Sequence, residues 1–424
     1  MLIENGNQRL QDFTEKNYKE TITEVTKGVW FVSGLGHSNA VFAEAETSVI
    51  LIDTLDTRER GEKLLKIIRE CTNKEVGTII YTHSHPDHRG GAGAFVECGP
   101  EIIAFKPKNP VLEKTELLQD IQSLRGARQF GYPLSDEEAI SQGIGPREGI
   151  THGEHRAFIP PNTVYDQEQM IREIDGVQVE MVRLPGEAED QIMIWFPQKE
   201  VICCGDNYYG CFPNLYAIRG GQYRDLSAWI NSLDVLMSYP AKFLLPGHTG
   251  IVSGREEIKR TLGHFRGAFE YILTHTLEGM NSDKGPDQLA SEIQLPPEYA
   301  DLPYLAEHYG CLEWTVRAIY TAYLGWFDGN PTNLHPMPLK KRSQKMIALM
   351  GGRQAVLDAA KSAVREKDYQ WCLELCDILL ADEASAGKEV FQLKAAALEM
   401  IAEYETSANG RHYYIAYAKE LREK

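Results

Sequence analysis

The stretch Tyr81-Thr-His-Ser-His-Pro-Asp-His88 constrains this chain more than any other. It continues the apolar run Val76-Gly-Thr-Ile-Ile-Tyr81, so a β-rich segment ends and releases His83, His85, Asp87 and His88 into a loop. Alternation along an extended chain sends His83, His85 and Asp87 to one side. A turn at Pro86-Asp87 then swings His88 back among them. Imidazole nitrogen and carboxylate oxygen suit zinc, and such a run can supply two adjacent metal positions. A polar loop that merely contains histidines is the plain alternative; the spacing after a strand and the partners downstream weigh against it.

The surroundings read as an α/β sandwich. Residues 1–27 are polar and form an arm or short helix. Short β-branched or aromatic runs follow at 29–32, 39–43 and 48–53, the last ending in Asp53-Thr54. Residues 57–72 place Leu64, Leu65, Ile67, Ile68 and Cys71 near one helix face. Strand, helix, strand and histidine loop follow in the βαβ order. His88 to Phe95 opens another helix, whose glycines let its first turn approach the loop. A strand spans 101–106. Residues 107–165 are irregular, with a helix expected at 111–125 and loop walls at Gly143–Pro146 and Phe158–Pro161. A long loop in a compact domain is usually functional, so this one is assigned to covering the site; a solvent-exposed insertion is the alternative. Strands resume at 177–184 and 191–196, with Leu184-Pro-Gly-Glu-Ala-Glu-Asp190 between them. Val201-Ile-Cys-Cys-Gly-Asp206 and Lys242-Phe-Leu-Leu-Pro-Gly-His-Thr-Gly250 are further strands that end in candidate ligands.

From about residue 255 the pattern turns helical. A linking helix spans 255–278, a proline-rich connector 286–303, and helical stretches lie at 314–320, 355–364, 369–380 and 391–401. Ala359…Asp368-Tyr369 and Ala395…Glu403-Tyr404 recur at an interval of roughly 36 residues, which suggests tetratricopeptide-like pairs; a plain bundle is the alternative. The 424 residues suffice for two domains. Forty-four basic against 61 acidic residues leave a formal charge of −17, which argues against a nucleic-acid partner. Eight cysteines without paired C-x-x-C spacing read as buried free thiols. No run reaches the roughly 18 apolar residues of a membrane span and no secretory signal is visible, so the expected location is cytoplasmic.

The His-x-His-x-Asp-His segment resembles the metallo-β-lactamase superfamily. That resemblance implies an αββα sandwich and two divalent ions, zinc foremost. It places His83, His85 and Glu187 on one ion, Asp87, His88 and His248 on the other, and Asp206 between them. The other histidines (37, 152, 155, 264, 275, 308, 335 and 412) fit no motif and read as structural or surface. Glu187 stands where most hydrolases of the superfamily have histidine, as in the alkylsulfatase branch. Asn214-Leu-Tyr-Ala-Ile-Arg-Gly-Gly-Gln-Tyr-Arg-Asp225 resembles the alkylsulfatase segment in which the arginine before Gly-x-Gln binds sulfate, here Arg219. Residues 309–331, ending in Gly325-Trp-Phe-Asp-Gly-Asn-Pro331, look like the alkylsulfatase dimerisation domain, as do Gly351-Gly352 and Asp368-Tyr-Gln-Trp371.

The resemblance therefore implies a catalytic domain over 1–265 and an all-α dimerisation domain over 266–424 in a homodimer. The implied reaction is hydrolysis of a sulfate monoester by a metal-bridging hydroxide. Asp87, Asp206 and Arg219 form the expected catalytic set, and Arg219 and Tyr216 the substrate-binding pair. Family members usually carry a further sterol-carrier-like domain, and the second acidic ligand is usually glutamate where this chain has Asp206. A smaller sulfate ester than a long-chain detergent, or another anionic ester or thioester, is the alternative substrate. A diiron redox protein and a catalytically dead scaffold are weaker readings: the first usually has an acid in place of His85, and the second lacks a ligand.

Overall fold

The computed structural model describes residues 6–108, 114–382 and 387–424. Two sheets lie face to face. The first holds β1 (Thr21–Thr26), β2 (Val29–Ser33), β3 (Ala40–Glu44), β4 (Val49–Ile52), β5 (Val76–Ile80), β6 (Glu101–Phe105) and β7 (Thr163–Tyr165) in chain order. Pairing is antiparallel from β1 to β4 and parallel from β4 to β7. The second sheet holds β8 (Gln169–Ile174), β9 (Val177–Arg183), β10 (Ile192–Phe196), β11 (Val201–Gly205), β12 (Phe243–Pro246) and β13 (Val252–Ser253). It is antiparallel except between β11 and β12.

Three apolar seams make this an αββα sandwich. Phe31, Ile50, Ile80 and Ile103 of the first sheet meet Met181, Ile194, Phe196 and Cys203 of the second. Outside the first sheet, Leu64 and Ile68 of the helix Arg58–Cys71 cover Phe42, Leu51 and Ile79. The spacing of those apolar residues gives that helix one buried face, and Thr57 caps its start by accepting from the Arg60 N–H. Outside the second sheet, Trp229 and Leu233 of the helix Leu226–Ser238, with Leu262 and Phe269 of Arg255–Asn281, cover Trp195, Ile202 and Leu244. Burial on both faces is why β4 and β5 read as continuous apolar runs. Each fully buried Leu or Ile contributes about 1.5–3 kcal/mol.

The second half is all helix. Ile347, Val356, Leu373, Leu379, Leu398 and Leu421 share one core formed by the helices Leu339–Leu349, Arg353–Arg365, Tyr369–Leu380, Lys388–Tyr404 and Ala408–Arg422. The last helix returns to the sandwich. Its His412 ring contacts the carbonyls of Gln129 and Ala139, at 3.0 Å each, and its Glu420 pairs with Arg128. Residue 265 lies within the helix Arg255–Asn281, whose Phe265 and Phe269 share a core with Leu289 and Val316.

Several local readings differ from expectation. β1, β7, β8 and β13, and the helices Leu226–Ser238, Leu339–Leu349 and Ala408–Arg422, are not among the expected elements. The helix expected from His88 is instead two short pieces, Pro86–Arg89 and the 3-10 turn Ala92–Cys98. Gly90 and Gly91 between them press so closely on the carbonyls of Asp56 and Thr54 that a Cβ would sit 2.0 Å from each. The helix expected at 111–125 is a 3-10 turn, Thr115–Leu118, running into Gln119–Gln129; 109–113 lie outside the described residues. The eight cysteines are free, but Cys71, Cys98 and Cys311 are only half-buried.

Candidate metal centre

The ends of β5, β9, β11 and β12 converge. His83, His85, Asp87 and His88 follow β5, and Glu187 follows β9. Asp206 follows β11, whose final Gly205 has a φ of 49°, and His248 follows β12. Asp206 is the hub: its Oδ2 lies 3.7 Å from His83 Nε2 and 3.2 Å from His248 Nε2, and its Oδ1 lies 3.4 Å from His88 Nε2. Asp87 Oδ2 is 3.3 Å from His88 Nε2 and 3.4 Å from His248 Nε2. On the other side, His85 Nδ1 lies 3.8 Å from Glu187 Oε1. Three groups have ligand atoms all within 4.8 Å of one another: His83–His88–Asp206, Asp87–His88–His248 and His85–Glu187–Asp206. Gly247 lets the chain pass this close, since a Cβ there would lie 2.3 Å from Asp206 Oδ1.

This donor set fits divalent cations. Nε2 of His83, His88 and His248 and Oδ1 of Asp206 are buried and have no hydrogen-bond partner. Orphaned buried polar atoms are costly and rare, and here four face one another. Burial opposes charge at every member. At His85 it prevails, helped by the Arg224 guanidinium, and lowers the imidazole to about 3. At His248 burial is outweighed by Asp206 and Asp87, which push the ring up to about 10. Burial would likewise raise the Asp206 carboxyl, but His248 and His88 hold it well below the ordinary range.

Further residues, given no role in the sequence reading, hold the ligands in place. Asp53 Oδ2 lies 2.8 Å from His88 Nδ1, and the Asp53 carboxylate also accepts from the Thr82 N–H and hydroxyl. The His37 carbonyl accepts from His248 Nδ1 at 3.0 Å. These contacts leave Nε2 of both rings free for a cation. Glu187 is gripped at both oxygens: Arg224 lies 2.9 Å from Oε1, and the Tyr209 hydroxyl donates to Oε2 at 2.8 Å. Asp53 stands out in the sequence as a charge ending a wholly apolar strand, and Arg224 lies within the Asn214–Asp225 segment, where only Arg219 was given a role; nothing local marks Tyr209.

A cavity of about 380 Å³ opens beside His85 and Glu187, with Ser84, Thr115, Gln122, Arg219 and Arg224 in its wall. Arg219 is half-buried. Its N–H donates to Gln129 Oε1 at 2.9 Å, and its guanidinium lies 5.6 Å from the Phe130 ring centre. Tyr216 is half-buried but is not among the residues lining this cavity. Asn214 is buried with neither side-chain amide atom partnered. The irregular segment contributes Pro107, Thr115 and Gln122 to the wall and, through Gln129, holds Arg219. A larger cavity, about 960 Å³, lies in the helical half among Glu307, Arg317 and Glu405 and contains no cluster residue.

Residues 33–248 match the model of the metallo-beta-lactamase superfamily, and residues 285–424 match that of alkyl sulfatase dimerisation. The chain is 33% identical over 392 residues to a linear primary-alkylsulfatase of Pseudomonas sp. (strain ATCC 19151), covering 90% of this chain and 73% of that one. It is 30% identical to an alkyl/aryl-sulfatase of Saccharomyces cerevisiae, covering 94% of this chain and 64% of the relative. The solved structure of a stereoselective inverting sec-alkylsulfatase from Pseudomonas sp. superposes with a TM-score of 0.89 at 27% identity, covering 99% of this chain and 68% of that one. A sandwich carrying the His-x-His-x-Asp-His loop, joined to a helical domain of the dimerisation type, places the chain in the metallo-β-lactamase superfamily, in its alkylsulfatase branch.

Proposed function

We propose that the protein hydrolyses sulfate monoesters at a divalent-metal centre. The observation that carries this reading is the juxtaposition of the buried cluster with an arginine-walled cavity that opens at His85 and Glu187. His83, His85 and Glu187 would hold one ion, Asp87, His88 and His248 a second, with Asp206 shared. Nitrogen and carboxylate donors without thiolate suit zinc. Such ions supply an activated water and positive charge for the sulfate oxygens.

The chain's own residues do the rest. A sulfate monoester spreads one negative charge over three oxygens, and the Arg219 fork can hold two of them. Burial makes that contact stronger than it would be in water. Asn214, whose N–H donates to the Tyr209 hydroxyl and whose carbonyl accepts from Arg224, carries an unpartnered buried amide that could serve as a neutral donor. Asp53 and the His37 carbonyl orient His88 and His248, so those rings present Nε2 without having to reorganise. Tyr216 remains a candidate for the outer substrate contact. We assign the sandwich to catalysis and the helical half to homodimer formation, following the match over 285–424; the expected boundary at 265 falls inside the continuous helix Arg255–Asn281, so the division lies after that helix.

An alkyl sulfate and an uncharged ester of the same chain length, compared in wild type and Arg219→Ala, test this reading. The variant should keep its metal and lose roughly 10²-fold in kcat/KM on the sulfate, equivalent to about 2–3 kcal/mol of charge-assisted contact. Lysine should restore part of it. Equal losses on both substrates would make Arg219 structural. If wild type cleaves only the uncharged ester, the protein is a hydrolase of another ester class.

A further inference from the structure

The two sides of the cluster have opposite neighbours. On the Asp87–His88–His248 side both rings are fully buried, and each meets an acceptor through Nδ1: the Asp53 carboxylate at 2.8 Å and the His37 carbonyl at 3.0 Å. Such partners make imidazole a better donor to a cation. On the other side His85 is 23% exposed. Its acidic neighbour Glu187 already has Oε1 paired with Arg224 and Oε2 bonded to Tyr209. Both contacts draw electron density from the carboxylate, and the guanidinium repels any cation that arrives there. Arg224 is itself buried and also donates to the Asn214 carbonyl, so it is anchored on two sides.

Local charge follows the same division. Asp87 and Asp53 put two carboxylates on the first side, whereas Glu187 on the second is matched one to one by Arg224. Asp206 serves both sides. A first divalent ion is therefore drawn to the Asp87–His88–His248 position. Once it is there, a second ion meets a nearly neutral site with a fixed cation beside it.

We infer that the two cation positions are unequal, and that Arg224 sets the difference. The Asp87–His88–His248 position fills first and holds tightly. The His83–His85–Glu187 position, next to the open cavity, is weaker and exchanges. The inference rests on the two-ion reading of the centre and goes beyond it: Arg224 acts as a positioning residue that tunes the affinity of the ion nearest the substrate cavity.

The test is a zinc titration of the metal-free, full-length protein against a chromophoric chelator, with cobalt(II) absorption followed in parallel. Wild type should show two classes of site at least about tenfold apart. Arg224→Met should tighten the weak class by about fivefold or more and leave the tight class unchanged. Asp53→Asn should loosen the tight class. If circular dichroism shows Arg224→Met to be unfolded, Tyr209→Phe decides, since it removes the other donor on Glu187 and should tighten the same class by a smaller factor. Two equal classes in wild type would overturn the inference and leave the two-ion reading standing. So would a weak class that is unchanged or looser in Arg224→Met, or in Tyr209→Phe where that variant decides. Binding of a single ion would overturn both, and absence of zinc binding would remove the metal centre altogether.

Discussion

At the residue scale, the seven proposed ligands differ in what their loss should do. Asp206 touches His83, His88 and His248, whereas among the described acids His85 faces Glu187 alone within 4 Å. His85→Ala should therefore lower bound metal by about one ion per chain, and Asp206→Ala should weaken both positions. Elemental analysis after dialysis reads this directly, and equal metal content in wild type and both variants would count against these assignments. The convergence of these seven side chains is legible because each sits at a strand end within a short motif: His83 to His88 after β5, Pro-Gly before Glu187 and His248, Gly before Asp206. The grip of Arg224 and Tyr209 on Glu187 is not legible, because only the packed sandwich brings these side chains together.

At the element scale, strands buried on both faces were readable and edge strands were not. β4 and β5 are continuous apolar runs, whereas β1 and β8, at the sheet edges, expose most of their polar side chains and carry no strong signal. The break in the helix after β5 is hidden from the sequence for a related reason: the tight packing of Gly90 and Gly91 is a tertiary constraint. The join between the helices Lys388–Tyr404 and Ala408–Arg422 carries a titration of its own. Burial pushes the Glu405 carboxyl up to about 7 from the ordinary 4.5, although it accepts from the Ser407 N–H. The folded state holds this proton more tightly than the unfolded chain does. Its contribution to stability is present below about pH 4.5 and is lost as pH rises to about 7. Glu405→Gln should thus be more stable than wild type at pH 8, by about 1–3 kcal/mol, and the gain should shrink towards pH 5. Melting temperatures at both pH values check this; a gain of the same size at both would contradict it.

At the scale of the whole molecule, the helical half exposes more apolar surface than a lone chain needs. Trp326 is 72%, Leu339 68% and Leu349 89% exposed, all within the residues that match alkyl sulfatase dimerisation. Large exposed apolar side chains are the material of association surfaces, and a stable dimer buries about 1,600 Å² in all. Light scattering at micromolar concentration should give the mass of a dimer, and Trp326→Ser combined with Leu339→Ser should shift it towards monomer. A monomeric wild type would refute the assignment. No described helix is long and apolar enough to cross a membrane. On the proposed reading this cluster, with the arginine-walled cavity beside it, cleaves sulfate esters with the help of divalent metal. The most direct measurement is release of inorganic sulfate from a primary alkyl sulfate by the purified protein before chelation, after chelation, and after zinc is restored. The expected result is sulfate release that disappears with the metal and returns with zinc. Undiminished release from rigorously metal-free protein, or none from the zinc-loaded protein with any alkyl or aryl sulfate tried, would contradict it.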